Sequence, residues 1–181
     1  MYVCFRRYKM SPPKHRPFTP KTMGGRMETL YCLDDLRSLR WVDTSEVRWL
    51  TAADYKIFTN HLISCGQRIL SQAAWADLIE RGIHYCGLFS DGQMVARACI
   101  EPRQADVWEV TDVRIIQRMG DRGYAKRVCH FVAEYILVNG RTAIIRTEED
   151  NLPMQRVIAF LGFRELDPVG QTSPDIQSKV E

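Results

Sequence analysis

No uninterrupted apolar run in this 181-residue chain approaches the ~18 residues that a membrane-spanning helix needs. A soluble protein is therefore expected, with no membrane partner. None of the six cysteines, at positions 4, 32, 65, 86, 99 and 129, pairs with another in a C-x-x-C clip. A disulfide framework or a zinc site is not expected. Cys86, Cys99 and Cys129 fall on apolar stretches of predicted elements, as buried thiols of a reducing compartment do, so the cytoplasm is the expected location. The histidines add no ligand spacing to the cysteines, and no metal is expected; His84 and His130 read as core or surface residues. Acid is absent from residues 1–26, which carry seven of the 25 Lys and Arg residues. The other 155 residues hold 18 basic and 22 acidic side chains and are mildly acidic. The basic pI thus belongs to one appendage and gives no argument for nucleic-acid binding.

What is present is an ordinary globular composition, 45% hydrophobic and 26% charged, in a length that suits one domain with a real core. Residues 1–26, with Pro12, Pro13, Pro17, Pro20 and a Gly24-Gly25 pair, read as a flexible extension, with Met27 as an alternative start. Residues 27–46 form a lead-in segment in which Leu33, Leu36 and Leu39 suggest a short helix. A domain over 47–166 follows, and 167–181 reads as a flexible tail.

Within that domain Val47–Leu50 reads as a strand. Thr51 is an N-cap with Asp54 reaching back to it, and Leu50 is placed to staple onto Tyr55. Tyr55, Phe58 and Leu62 make the stripe of a first helix that Gly66 ends. Ser71 caps a second helix, with Trp75, Leu78 and Ile79 on one face. Ile83–Ser90 and Gln93–Glu101 flank Asp91-Gly92, a two-residue hairpin signal. Thr142–Thr147 is a further strand. Asn151 caps a helix over Leu152–Leu161, Pro153 sits in its first turn, and Gly162-Phe163 closes it.

The stretch that organises the rest is Glu109–Ala125, EVTDVRIIQRMGDRGYA. A strand over Val107–Ile116 runs into a loop with Gly120 and Gly123, and a helix begins, with Val128, Cys129, Val132, Tyr135 and Ile136 at three- and four-residue spacing. Such a junction aims free backbone N–H groups and the positive end of a helix dipole at one point, which suits a phosphate. The element order, β-α-α-β-β-β-α-β-α, predicts an α/β domain around a mixed, mostly antiparallel sheet flanked by helices.

This order, with two separated motifs, resembles the GNAT acetyltransferase superfamily over roughly Val47–Phe163. The family's acyl-CoA loop, Q/R-x-x-G-x-G/A, is met by Gly120-Asp121-Arg122-Gly123-Tyr124-Ala125, with Gly120 where a long polar side chain is usual. The second motif, an Asn, a helix and Gly-Phe, is met by Asn151, Met154 and Gly162-Phe163. The resemblance implies acetyl-CoA as co-substrate, lying in a V-shaped opening between strand 107–116 and strand 142–147. Its pantetheine arm would bond to the backbone of Val113, Arg114 and Ile115. Its pyrophosphate would sit on amides of Gly120–Ala125, with Arg118, Arg122 and Lys126 as sources of positive charge. Asp121, Tyr124 and Asn151 belong to the same implied cofactor site.

The implied activity is N-acetylation of an unidentified primary amine by direct transfer in a ternary complex. A lysine-like amine is neutral in only about one molecule in 2,500 at pH 7, so a base is needed. Glu109 is the first choice. Asp112 is the second, on the opposite face by strand alternation unless a bulge intervenes. The family often carries a tyrosine seven residues after the Asn to protonate the leaving thiolate; that position is Ile158 here. The family's two closing strands are also cut short, because Pro168, Gly170 and Pro174 interrupt the 18 residues after Phe163. A partner chain, in a homodimer, could complete the edge. These departures keep open a second reading, a non-catalytic acyl-CoA-binding or regulatory module. Trp75, the loop at 65–71 and the tail are expected to shape the acceptor pocket.

Overall fold

The computed structural model describes residues 28–117 and 122–166. The expectations for 1–26, for Arg118, Gly120 and Asp121, and for 167–181 lie outside the described residues. Seven strands form one sheet: β1 (Glu28–Leu33), β2 (Val47–Trp49), β3 (His84–Ser90), β4 (Gln93–Pro102), β5 (Val107–Ile115), β6 (Thr142–Glu148) and β7 (Arg164–Glu165). Their order across the sheet is β2-β3-β4-β5-β6-β1-β7. Every neighbouring pair is antiparallel except β5 and β6. The helices are α1 (Tyr55–Ser64), α2 (Gln72–Glu80), α3 (Tyr124–Val138) and α4 (Leu152–Leu161). This is the mixed, mostly antiparallel α/β architecture expected.

Local chemistry accounts for most of these elements. Asp91 and Gly92 take φ of 51° and 75°, the two positive values that a tight hairpin turn between twisted strands requires. The Thr51 N–H donates to Asp54 Oδ2 at 2.8 Å, and Arg48 pairs with the same carboxylate at 2.8 Å. That fixes the entry into α1, although the first turn, Ala52–Asp54, is a 3-10 turn rather than α-helix. Asn151 Oδ1 accepts from the Met154 N–H and caps α4.

The core is split by the sheet. On one face α3 and α4 pack Val128, Val132, Ile136, Ile158 and Leu161 against Val95, Ala98, Ile100 and Val110. On the other, α1 and α2 pack Phe58, Leu62 and Trp75 against Tyr85, Met94 and Cys99. Cys32, Cys86, Cys99 and Cys129 are buried free thiols.

The lead-in segment differs from its sequence reading. Leu33, Leu36 and Leu39 do not share a helix: Leu33 ends β1, and Leu36 opens a 3-10 turn over Leu36–Ser38. β1 pairs along its whole length with β6, from Glu28↔Glu148 to Leu33↔Ala143, and β7 then pairs with β1. Unpaired backbone along β6 is costly, and this long-range pairing outweighs a three-residue leucine spacing. The strand beside β6 thus comes from the front of the described chain, and no partner chain is needed there.

Candidate active site

The site is built where β5 leaves its neighbours. The β5–β6 ladder runs from Val107↔Thr142 to Val110↔Ile145, yet β5 continues to Ile115 and β6 to Glu148. Beyond Val110 the two strands part, and among the described residues the β6-facing edge of 111–115 has no ladder partner. On the other side, β4 pairs Arg97 with Arg114 and Cys99 with Thr111. Ala98 therefore faces two residues, Asp112 and Val113: a β-bulge, with Asp112 at φ 46°. A bulge bends its strand and increases its twist, and here it steers the end of β5 away from β6. Val113 and Ile115 pack partly against the α3 side of the core, while Arg114 is exposed.

The bulge also decides where the two candidate carboxylates point. Trp108 and Val110 belong to the α3-side core, so alternation puts Glu109 on the α1 side. Asp112 should have faced the other way. The extra residue returns it to the α1 side, where its carboxylate holds the Arg97 guanidinium in two hydrogen bonds of 3.1 and 3.2 Å.

Arg97 is 1% exposed. It also meets His61 Nδ1 at 3.0 Å, donates to Gln67 Oε1, and lies over the Phe58 ring. Burial and the neighbouring guanidinium push the His61 imidazole down to about 4, so His61 is neutral at pH 7 and can accept from Arg97. Asp112 is thus committed to a buried ion pair that ties the bulge to α1 and to the loop at 65–71. That position suits holding β5 in place better than taking a proton from a substrate.

His61 carries a pH prediction. Its pKa is lowered in the fold, so between about 6.5 and 4 the unfolded chain binds a proton that the folded chain does not. Stability is full above the unfolded value and falls as pH drops through this window, by up to about 3 kcal/mol. Urea midpoints measured from pH 7 to pH 4.5 should show the fall, and His61→Gln, which keeps an acceptor for Arg97, should lessen it, the remainder coming from His84 and His130, which burial also pushes down. An unchanged slope in the variant would remove His61 from this role.

Glu109 is 3% exposed and sits between two arginines. Arg103 bonds to one carboxylate oxygen, and Arg146 Nε lies 3.3 Å from the other. Arg103 also pairs with Glu101 at 2.9 Å. Burial pushes the Glu109 carboxyl above the ordinary carboxylate range, against the pull of Arg103 and Arg146. Glu109 is thus a buried carboxyl with a raised pKa, paired with two arginines beside the point where the strands part, and a candidate general base.

At the loop end, Gly123 takes φ 72° at the α3 N-terminus. A Cβ there would meet nothing within 4 Å, so glycine serves the backbone conformation. Tyr124 is buried and Ala125 packs against the core. Arg122 is exposed, and the Lys126 ammonium lies 4.0 Å from the Phe160 ring centre. Asn151 spends its side-chain oxygen on the α4 cap. Ile158 is 1% exposed and part of the core, so no hydroxyl reaches the site from that position.

Trp75 is 1% exposed and stacks on Phe58 at 4.4 Å. It is a core residue and does not shape a pocket, contrary to the sequence reading. Among the described residues no group of acidic, His and Cys side chains has metal-site geometry, and no helix is long and apolar enough to cross a membrane. The sequence reading missed Arg97, His61, Gln67, Arg103 and Arg146. Arg97 had a signal: it is the one charged residue in MVARACI, and a charge inside an apolar strand must have a partner.

The sequence profile of the Acetyltransferase (GNAT) family matches residues 34–163. No curated protein matches the chain. Among solved structures, a GNAT-family protein from Novosphingobium aromaticivorans is 20% identical, with a TM-score of 0.62 over 77% of this chain and 60% of its own. An acetyltransferase from the GNAT family from Colwellia psychrerythraea is 20% identical, with a TM-score of 0.65 over 76% of this chain and 52% of its own. The ribosomal-protein-S18-alanine N-acetyltransferase from Escherichia coli is 15% identical, with a TM-score of 0.56 over 67% of this chain and 78% of its own. The chain spans 60% and 52% of the length of the first two. At these identities the likeness is one of fold.

Proposed function

This chain belongs to the GNAT acetyltransferase family, and from that premise we propose that it moves an acetyl group from acetyl-CoA to a primary amine within one ternary complex. The observation that carries the reading is Glu109: a buried carboxylate with a raised pKa, next to the point where β5 and β6 separate.

The free edge of residues 111–115 takes the pantetheine arm as an added strand, the form of recognition that an unpaired strand edge favours. The amides that open α3 take the pyrophosphate, with Arg122 lending charge. Glu109 removes a proton from the bound ammonium, directly or through a water. The freed nitrogen pair attacks the acetyl carbonyl, the nitrogen gives up its second proton to solvent, and the tetrahedral adduct collapses with rupture of the carbon–sulfur bond. The sulfur leaves as thiolate and takes its proton from solvent. With a thiol pKa near ~8.5 this is a tolerable departure, which suits a site where Ile158 stands in place of an acid.

Isothermal titration of the full chain with acetyl-CoA should give saturable binding in the micromolar range, and the absence of heat up to millimolar ligand would remove the proposal. An array of primary amines, followed by release of free thiol, then separates an enzyme from an acyl-CoA-binding module. Sustained turnover excludes the module. Tight binding without turnover against any amine favours it, in line with the buried Ile158.

A further inference from the structure

The structure holds a second cationic locus, apart from Glu109 and its arginines. Lys126, in the first turn of α3, and Arg40, in the segment after β1, converge on one ring, that of Phe160 near the end of α4. The Lys126 ammonium is 4.0 Å from the ring centre and the Arg40 guanidinium carbon 4.9 Å. Arg156 lies one turn earlier on α4, and Arg122 sits just before α3. Among the described residues, none of these four cations joins an ion pair.

The neighbouring arginines behave differently. Arg127, one residue after Lys126, bonds to Glu46 at 2.8 Å and to the Asp43 carbonyl at 2.8 Å. Arg48, Arg97, Arg103 and Arg164 each hold a carboxylate. In a folded body with more acid than base, cations gathered on one ring without a counter-ion mark a place for an external anion.

Arg40 is also held there by backbone. Its N–H donates to the Leu161 carbonyl at 3.1 Å, which fixes the segment after β1 to the end of α4. The locus is therefore assembled from three separate stretches of chain.

We propose that Lys126 and Arg40, at the Phe160 ring, bind the 3′-phosphate of coenzyme A. The assignment rests on the acyl-CoA reading above. With the pyrophosphate on the amides that open α3, the 3′-phosphate is the remaining dianion of the ligand, and only the ribose separates the two. Lys126 lies in the first turn of the helix, and Arg40 reaches the same ring from the segment after β1. A phosphate held by two charged donors is bound by charge-assisted hydrogen bonds, the stronger kind.

Titration of the full chain with coenzyme A and with 3′-dephospho-coenzyme A tests this. The wild type should bind coenzyme A at least about tenfold more tightly at low salt, with the difference shrinking as salt rises. In the double variant Lys126→Gln, Arg40→Gln, affinity for coenzyme A should fall to that for the dephospho form, while affinity for the dephospho form stays as in the wild type. The charge-keeping pair Lys126→Arg, Arg40→Lys should retain most of the preference. Equal binding of the two ligands by the wild type overturns the assignment, and so does a double variant that weakens both ligands alike. Wild-type protein that binds neither ligand removes the acyl-CoA reading itself, an outcome distinct from loss of the preference alone.

Discussion

Glu109→Gln should lower turnover about 10²- to 10⁴-fold near pH 7, the range that general-base catalysis supplies, and leave acetyl-CoA affinity unchanged. The amide matches the carboxylate in shape and keeps an oxygen for Arg103 or Arg146, so folding can be monitored separately by thermal unfolding. The pH dependence gives the sign. The Glu109 carboxyl titrates above the ordinary carboxylate range because it is buried. In the wild type the base form is lost as pH falls through that raised value, so the acidic limb of kcat/KM lies above that of a free carboxylate. The variant should lack this limb. Its rate should climb with the neutral fraction of the amine itself, about tenfold per pH unit until the amine pKa is neared. The deficit is therefore greatest at lower pH and shrinks toward pH 10. Turnover that is unchanged at pH 7 takes Glu109 out of the mechanism.

Gly162→Ala should destabilise the fold by about 4 kcal/mol, a loss of the size seen when a packed interior is overfilled and a backbone is strained together. Gly162 has φ 94°, and a Cβ there would stand 2.3 Å from the Ser38 carbonyl oxygen. The left-handed conformation alone accounts for about 1 kcal/mol. The larger part is the clash, because the obstacle is backbone and cannot rotate away as a side-chain tip could. Relief requires moving the segment of Ser38 to Arg40 off the end of α4, which also breaks the Arg40 N–H bond to Leu161. Denaturant titration gives the comparison, with Gly140→Ala as control. That glycine also has positive φ, at 69°, but meets nothing within 4 Å, and its loss should stay near 1 kcal/mol. Equal losses at the two positions would show that the contact with Ser38 carries no weight.

The carriers of chemistry were legible to different degrees, and the reason lies in the range of the interactions. Asp91-Gly92, Asn151, the left-handed Gly123 and Gly162 and the buried stripe of α3 follow from steric and capping rules that act within one turn or one helix. The whole sequence of elements from β2 to α4 was readable from them. Glu109 was singled out through the resemblance to the family, some members of which carry a glutamate base at that place on the strand. Its two arginines were not: Arg103 comes from the turn before β5, and Arg146 from a strand reached only after α3. The leucines at 33, 36 and 39 misled for the opposite reason. Their spacing is a local signal, and the fate of that segment was set by its pairing with residues 143–148.

The sequence by itself determined the order of elements from β2 to α4, the caps of α4, the missing hydroxyl at Ile158 and the family to which the chain belongs. Each of these depends on residues near one another along the chain. Only the tertiary structure decided that β1 lies beside β6, that a bulge turns Asp112 onto the Glu109 face, and that Arg97 takes that carboxylate for itself. It also brought Arg40 to the Phe160 ring beside Lys126. Those outcomes depend on which strand edge finds a partner and which buried charge finds a counter-charge. Both conditions are met only when distant segments meet, because unpaired backbone and lone buried charge are too costly to leave in place.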